Sequence, residues 1–433
     1  MTDYSLSRRR FFTLGGGAAL AAGLAACTGT SSNTTSTGGS GNGSKTLRLF
    51  TYEDNSTIDL VKATVKQFDT QNGTTTTVDS LPGSGAAVYP DKLRTELLGG
   101  SGPDVWRIWG GQIGAPFVKA KQAMDLSRYY QKYGWDSKIS PAAIQGMTFD
   151  GVKSGVPYIN SGIGIWYSKA AFTKAGIAAP PTSYAELEEA NAKLVKAGIT
   201  PAGLGGKYGW DIMRLFEYLL ETSAGPDLHD KLLTGAENWN RPEVVTAFTN
   251  FKKWQDQKWL PDGAVGLDPA DVELWYVQGK AAYTLTGQWT EAQGIQAGNK
   301  KSADFGVFAA PTGQNPVRHS GFVEGYMINA KAGNPDMAAA LIDFLVKPES
   351  QKAMKVTSSV IAGAEPDQAT LPLSYAWSQG PGKQPFYTIQ DQALPKKQAD
   401  QYFAIQSDVL QGKTSPADAA KKMQDVIKAW NKS

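Results

Sequence analysis

Nucleophiles, proton-transfer groups and metal ligands are the residues that could carry chemistry, and most of them are scarce here. The 433 residues include two histidines, His229 and His319, and a single cysteine, Cys27. A zinc site or a Cys/His nucleophile therefore has almost no material. Carboxylates remain. Glu53 beside Asp54, Asp211 with Glu217, or Glu324 offers the acid and nucleophile of a glycoside-cleaving pair, and the alternative for each is a surface charge or hydrogen-bond acceptor. No phosphate-cradling P-loop occurs, nor a GxGxxG run that opens a helix after a strand. No cofactor or metal is implied. Aromatic residues are the other resource, at 10% of the chain with twelve tryptophans. A flat indole presents an apolar face to the C–H face of a sugar ring, while carboxylates and amides take its hydroxyls.

Such side chains need elements to hold them, and residues 279–289, GKAAYTLTGQW, show how one is held. Ala281 to Leu285 are small and β-favouring, Gly287 breaks the strand, and Trp289 opens a helix. In an open α/β sheet, ligands settle where strands end and helices begin; the other reading of Trp289 is plain core. Earlier in the chain, 47–51 reads as a strand, then a helix carries Ile58, Val61, Val65 and Phe68 on one face. A strand at 74–78, a helix at 91–98 and a strand at 104–109 follow. This alternation predicts a parallel sheet, so the loops bearing Tyr52, Glu53, Asp54 and then Trp109 and Gln112 open on one edge. Residues 155–158 read as an extended crossing, 162–167 as a strand and 170–175 as a short helix. Ser183 with Glu186 forms a capping box. The region 210–298 reads as mainly helical, with 210–220, 242–257 and 269–277 clearest, which argues against an eight-fold barrel. Trp254, Trp259, Trp275 and Trp430 fall on amphipathic helix faces or ends and are assigned to the core. The last helix is capped by Ser415 and Pro416 and buries Met423, Ile427 and Trp430.

Composition fits an ordinary globular chain of two or three domains, 41% hydrophobic and 19% charged. Of the formal charge of +3, Arg8, Arg9 and Arg10 less Asp3 supply +2, leaving +1 for the rest. No basic block follows, so nucleic acid is not an expected partner. Residues 1–26 read as an export signal: three arginines, an apolar run broken by Gly15, Gly16, Gly17 and Gly23, then Ala25 and Ala26. Ser7-Arg8-Arg9-Arg10-Phe11-Phe12 resembles a twin-arginine signal, a general secretory signal being the alternative. Leu24-Ala25-Ala26-Cys27 resembles a bacterial lipobox, which implies lipidation of Cys27, anchoring to the outer face of the cytoplasmic membrane, and no internal disulfide. Residues 27–44 are almost wholly Thr, Ser, Gly and Asn and read as a flexible tether.

Several stretches in fixed order carry a resemblance. They are Trp166-Tyr167-Ser168-Lys169 with Phe172 and Lys174-Ala175-Gly176, then Pro180-Pro181-Thr182-Ser183-Tyr184 with Glu186-Leu187, then residues 279–289. Gly325 to Asn329, Asn334-Pro335 through Leu345, Pro348-Glu349 with Gln351, and residues 412–416 complete the set. From about Leu47 onward the chain resembles the extracellular solute-binding proteins of family 1, the carbohydrate-binding components of ABC importers. The resemblance implies an α/β, bilobal, periplasmic-binding-protein-like clamp (type II), two α/β lobes joined by hinge strands. Lobe 1 is expected at 45–157 plus 326–357 and lobe 2 at 158–325 plus 358–433, with crossings at 157–162, 321–326 and 357–363. It implies a monomer that binds a carbohydrate, an oligosaccharide above all, and hands it to membrane permease subunits without chemistry. A lipid-anchored glycosidase, or the same clamp with a peptide, polyamine or metal-chelate cargo, are the rivals. By position relative to the motifs, Trp289, Glu53, Trp109, Trp210 and Trp377 are the first candidates for ligand contact. Asp54, Gln112, Asn160, Ser161, Tyr208, Asp211, Gly287, Phe322 and Glu324 follow, with loop or lobe packing as the alternative for each.

Overall fold

The computed structural model describes residues 45–53, 57–81, 87–298 and 301–430. The export signal, Cys27, the tether and Asp54 therefore lie outside the described residues. Twelve strands are present among those described. They are β1 (Thr46–Thr51), β2 (Thr75–Ser80), β3 (Val105–Trp109), β4 (Thr148–Phe149), β5 (Val152–Lys153) and β6 (Val156–Gly162), followed by β7 (Gly164–Ser168), β8 (Thr200–Ala202), β9 (Ala281–Thr286), β10 (Phe305–Phe308), β11 (His319–Ile328) and β12 (Phe386–Thr388). The first sheet runs β12-β11-β3-β1-β2, with β6 also paired to β11. β1 is parallel to both β2 and β3, as the strand–helix alternation requires. β11 joins antiparallel to β3, so the sheet is mixed where only its first three strands were legible as parallel. The second sheet runs β10-β7-β9-β8.

Apolar periodicity explains how the helices seat. The helix Ile58–Asn72 buries Val61, Val65 and Phe68, and ends at Gly73 in the left-handed conformation. Ser183 caps Tyr184–Lys196 by accepting from the Glu186 N–H at 3.2 Å, and Ser415 caps Pro416–Trp430 from the Asp418 N–H at 3.1 Å. The helix expected over 269–277 is instead two short pieces, Pro269–Val272 and Trp275–Gln278. The break frees Glu273 to turn toward Trp289, as described below.

Two large apolar cores form, with a small third cluster of Trp166, Tyr276, Val277 and Phe305 beside the second sheet. One gathers Leu49, Phe50, Trp106, Tyr158, Val323, Leu341 and Ala364; the other gathers Ile163, Phe216, Trp254, Leu285, Phe322, Ile389 and Tyr402. The chain changes core between Tyr158 and Ile163, between Phe322 and Val323, and between Ala364 and Ile389. β6, β11 and the segment around Ser358 lie side by side at these changes. Phe322 pairs with Ser161, the Asn160 N–H donates to the Ser358 carbonyl at 2.9 Å, and the Ser161 and Ser358 hydroxyls meet at 3.1 Å.

Candidate functional site

A cavity of about 840 Å³ lies where residues of both cores face each other. On the side of the first core, the residue after β1 and the last residue of β3, Tyr52 and Trp109, meet as a stacked pair, ring centroids 4.0 Å apart and planes 14° from parallel. Arg107 projects from β3 with its guanidinium 4.2 Å from the Tyr52 ring centre. Its partners are Glu53, at 2.5 Å, and Glu324, at 2.7 Å from Nε, while the Tyr52 hydroxyl donates to Glu324 at 2.6 Å. Burial works against charge on Arg107, but Glu324 and then Glu53 outweigh it and hold the guanidinium protonated. Burial, reinforced by the Glu324 carboxylate, drives the Tyr52 phenol well above its usual range, so it stays a donor. Phe322, Glu324 and Tyr326 sit at every second position of β11 and share the face that lines the cavity.

The opposite wall starts at the helix Trp210–Ala224 and at the turn from β9 into Trp289–Gly298. Arg214 lies over the rings of Trp210 and Trp289, at 4.6 and 5.2 Å. Asp211 holds Arg214 at 2.9 Å and accepts from the Gly205 N–H at 2.8 Å. Glu273 accepts from the Trp289 indole N–H at 2.7 Å and from the Thr286 hydroxyl. Gly287 explains why the indole can lie where it does. A Cβ there would come within 2.5 and 2.6 Å of Cε3 and Cη2 of Trp289 and closer still to Cζ3, so only glycine leaves room beneath the ring.

Trp289, half-buried, therefore lines the cavity, as do Glu53, Trp109, Trp210, Gln112, Ser161, Tyr208, Phe322 and Glu324. Four other candidates do not. Trp377 is 1% exposed and packs on the crossing beside the second core, where Gly162 and Gly164 offer it a surface without side chains. Asn160 does not line the cavity, although Tyr158, Ile159 and Ser161 around it in β6 do; its backbone N–H donates to the Ser358 carbonyl. Asp211 stands behind the wall and orients Arg214, and Gly287 supports the indole from beneath. Sequence reading missed Arg107, Arg214, Glu273, Tyr158 and Asp391, all of which line the cavity. A signal existed for two of them. Arg107 interrupts the apolar run of β3 and Arg214 the apolar start of its helix, and a cation in such a place must be buried and paired.

Among the described residues no cluster of three or more His, Cys, Asp or Glu is placed to hold a metal, and no helix is long and apolar enough to cross a membrane. Of the candidate acids, Glu53 and Glu324 share Arg107, Asp211 and Glu217 are buried, and Asp54, the expected partner of Glu53, lies outside the described residues.

Comparison with known proteins follows the same lines. The family model of the bacterial extracellular solute-binding protein matches residues 54–352. Over 296 residues the chain is 28% identical to an uncharacterised ABC transporter extracellular-binding protein of Pyrococcus horikoshii, spanning 67% of this chain and 64% of that one. It is 26% identical over 294 residues to a protein of Brucella suis named as a probable sugar-binding periplasmic protein, 67% of each chain being covered. Among solved structures, a chitin oligosaccharide binding protein superposes with a TM-score of 0.80 at 23% identity, over 90% of this chain and 100% of that chain. That likeness shows the bilobal clamp fold. With the match over residues 54–352 and two cores facing one cavity, the chain belongs to the bacterial extracellular solute-binding protein family.

Proposed function

We propose that this protein captures a carbohydrate, an oligosaccharide above all, in the cavity and delivers it unchanged to the membrane permease of an ABC importer. One observation carries the reading: aromatic surfaces, Tyr52 with Trp109 and Trp210 with Trp289, stand on both walls among fixed charged groups. Apolar faces flanked by oriented hydrogen-bonding groups are what a pyranose ring needs. The names of the Brucella suis relative and of the chitin oligosaccharide binding protein support it. On this reading the lobes are 45–157 plus 326–357 and 158–325 plus 358–433, and Cys27 carries the lipid that keeps the clamp at the outer face of the cytoplasmic membrane. Contacts on both walls favour the closed arrangement over the open one, and that differential affinity is what marks the carrier as loaded.

A thermal-shift screen across mono- and oligosaccharides tests the proposal, because a ligand that binds only the folded chain raises the melting temperature. Stabilisation by a sugar that is afterwards recovered intact supports it. Hydrolysis of that sugar, or stabilisation by peptides and not by sugars, refutes it.

A further inference from the structure

Tyr52 is held like a page between two side chains of one strand. Arg107 and Trp109 stand two residues apart in β3, so both point to the same side, about 6.6 Å apart along the strand. The Tyr52 ring takes that gap, its centre 4.2 Å from the guanidinium carbon and 4.0 Å from the indole centre. Two flat groups at such distances cannot share one face of a phenol ring, so Arg107 backs one face and Trp109 the other. Arg107 also lies over the Tyr158 ring, at 5.5 Å, and Tyr158 stacks on Tyr326 with centroids 4.6 Å apart and planes 17° from parallel. Trp109, Tyr52, Arg107, Tyr158 and Tyr326 thus form one series of contacts, founded on β6 and β11, the strands in which the chain changes core. Four of its members are buried. Trp109, half-buried, ends the series at the cavity, so the side turned away from Tyr52 is the one a sugar reaches.

Resting on the carbohydrate reading above, we propose that Arg107 is a positioning residue for the sugar: acting through Tyr52, its guanidinium fixes the plane of the Trp109 indole on which the sugar stacks. Each nitrogen of Arg107 already bonds a carboxylate, Nη1 to Glu53 and both Nε and Nη2 to Glu324. The cation is therefore anchored at its edge, and its flat face is what it gives to the site. A guanidinium over a phenol ring is attracted by the ring quadrupole, and its plane offers the ring a slab to lie on. A lysine ammonium keeps the charge that Glu53 and Glu324 need but has no plane. Tyr52 is held in the gap by two more contacts, its hydroxyl bond to Glu324 at 2.6 Å and the edge-on ring of Tyr89 at 4.9 Å. With Tyr52 fixed this way, Trp109 has one ring to lean on and one orientation to take.

Calorimetric titration tests this, using as probe the best stabiliser from a panel of glucose-, galactose-, xylose- and N-acetylglucosamine-based oligosaccharides. Only variants that unfold in one urea transition are compared. Arg107→Lys is expected to weaken binding at least fivefold in the natural protein. In a Trp109→Ala background the same change is expected to cost less than twofold, because it then has no indole to misplace. Tyr52→Leu removes the flat spacer and is expected to weaken binding at least tenfold, whereas Tyr52→Phe keeps the spacer and should bind at least fivefold tighter than Tyr52→Leu. Equal losses for Arg107→Lys with and without Trp109, or natural affinity in Arg107→Lys, overturn this proposal and leave the carbohydrate reading standing. Equal affinities of Tyr52→Leu and Tyr52→Phe also overturn it, and that pair decides the matter should Arg107→Lys not fold. Failure of every sugar in the panel to stabilise the protein overturns both.

Discussion

Adding one methyl group at Gly287 should disable the cavity without substituting any residue that lines it. A Cβ at this position meets the Trp289 ring at 2.5 and 2.6 Å, and closer at a third carbon, so the indole must rotate off its present plane. Rotation breaks the 2.7 Å bond from the indole N–H to Glu273 and withdraws the ring from Arg214. Half of an indole side chain, roughly 100 Å² at about 25 cal/mol/Å², is worth about 2.5 kcal/mol when a sugar covers it, or about sixtyfold in affinity. Gly287→Ala should therefore weaken sugar binding by at least tenfold, and forcing the ring out of its packed position should cost about 1–3 kcal/mol of stability. Trp289→Ala alone should cost a similar factor in binding. The combined variant should bind no worse than Trp289→Ala, because the added methyl then has no ring to displace. Calorimetric titration and urea melts of the three variants measure both quantities. Additive losses in the double variant, or a Gly287→Ala protein with unchanged affinity, would refute the placement of the indole.

Three further outcomes are expected, two from the structure and one from the sequence alone. Arg107→Met leaves Glu53 and Glu324 facing each other without a cation in a site where Arg107 is 8% exposed, so urea melts at pH 7 should lose about 3–5 kcal/mol, part of which Glu324→Gln restores; an unchanged midpoint contradicts this. His319 is 7% exposed and burial holds its imidazole down at about 4. Its usual value is about 6.5, so the unfolded chain takes up the proton first, and stability falls as pH drops from 6.5 toward 4, by about 3 kcal/mol from this residue. Denaturation of His319→Asn at pH 7.5 and 4.5 should show a shallower pH dependence than the natural protein, and equal slopes would exclude the effect. Cys27→Ser should release the protein from the membrane into the medium, and full retention in the membrane fraction would exclude the lipid anchor.

Much of the framework was legible in the residues because it rests on local rules. Strand–helix alternation over 47–109 fixes three parallel strands, and the Ser183 and Ser415 caps mark helix starts. Gly287 and Trp289 were likewise visible as the end of a strand and the start of a helix. Pairings between distant segments were not legible. Trp377 and Trp210 each lie in a helix with other aromatic residues, yet one packs on Gly162 and Gly164 and the other lines the cavity; for Trp377 the choice is made by glycines more than 200 residues away in sequence. Arg107 and Arg214 were readable as buried cations, but their partners, Glu324 and Glu273, lie far along the chain.

The central claim is that both aromatic walls grip one carbohydrate and release it intact. Calorimetric titration of the folded protein with the sugar that stabilises it most, followed by chromatography of the recovered ligand, tests this most directly. One sugar bound per chain, abolished or weakened at least tenfold by Trp109→Ala and by Trp289→Ala separately, and eluted with its linkages unbroken, is the result expected. Binding that survives loss of either indole, or a shortened sugar in the eluate, would contradict it.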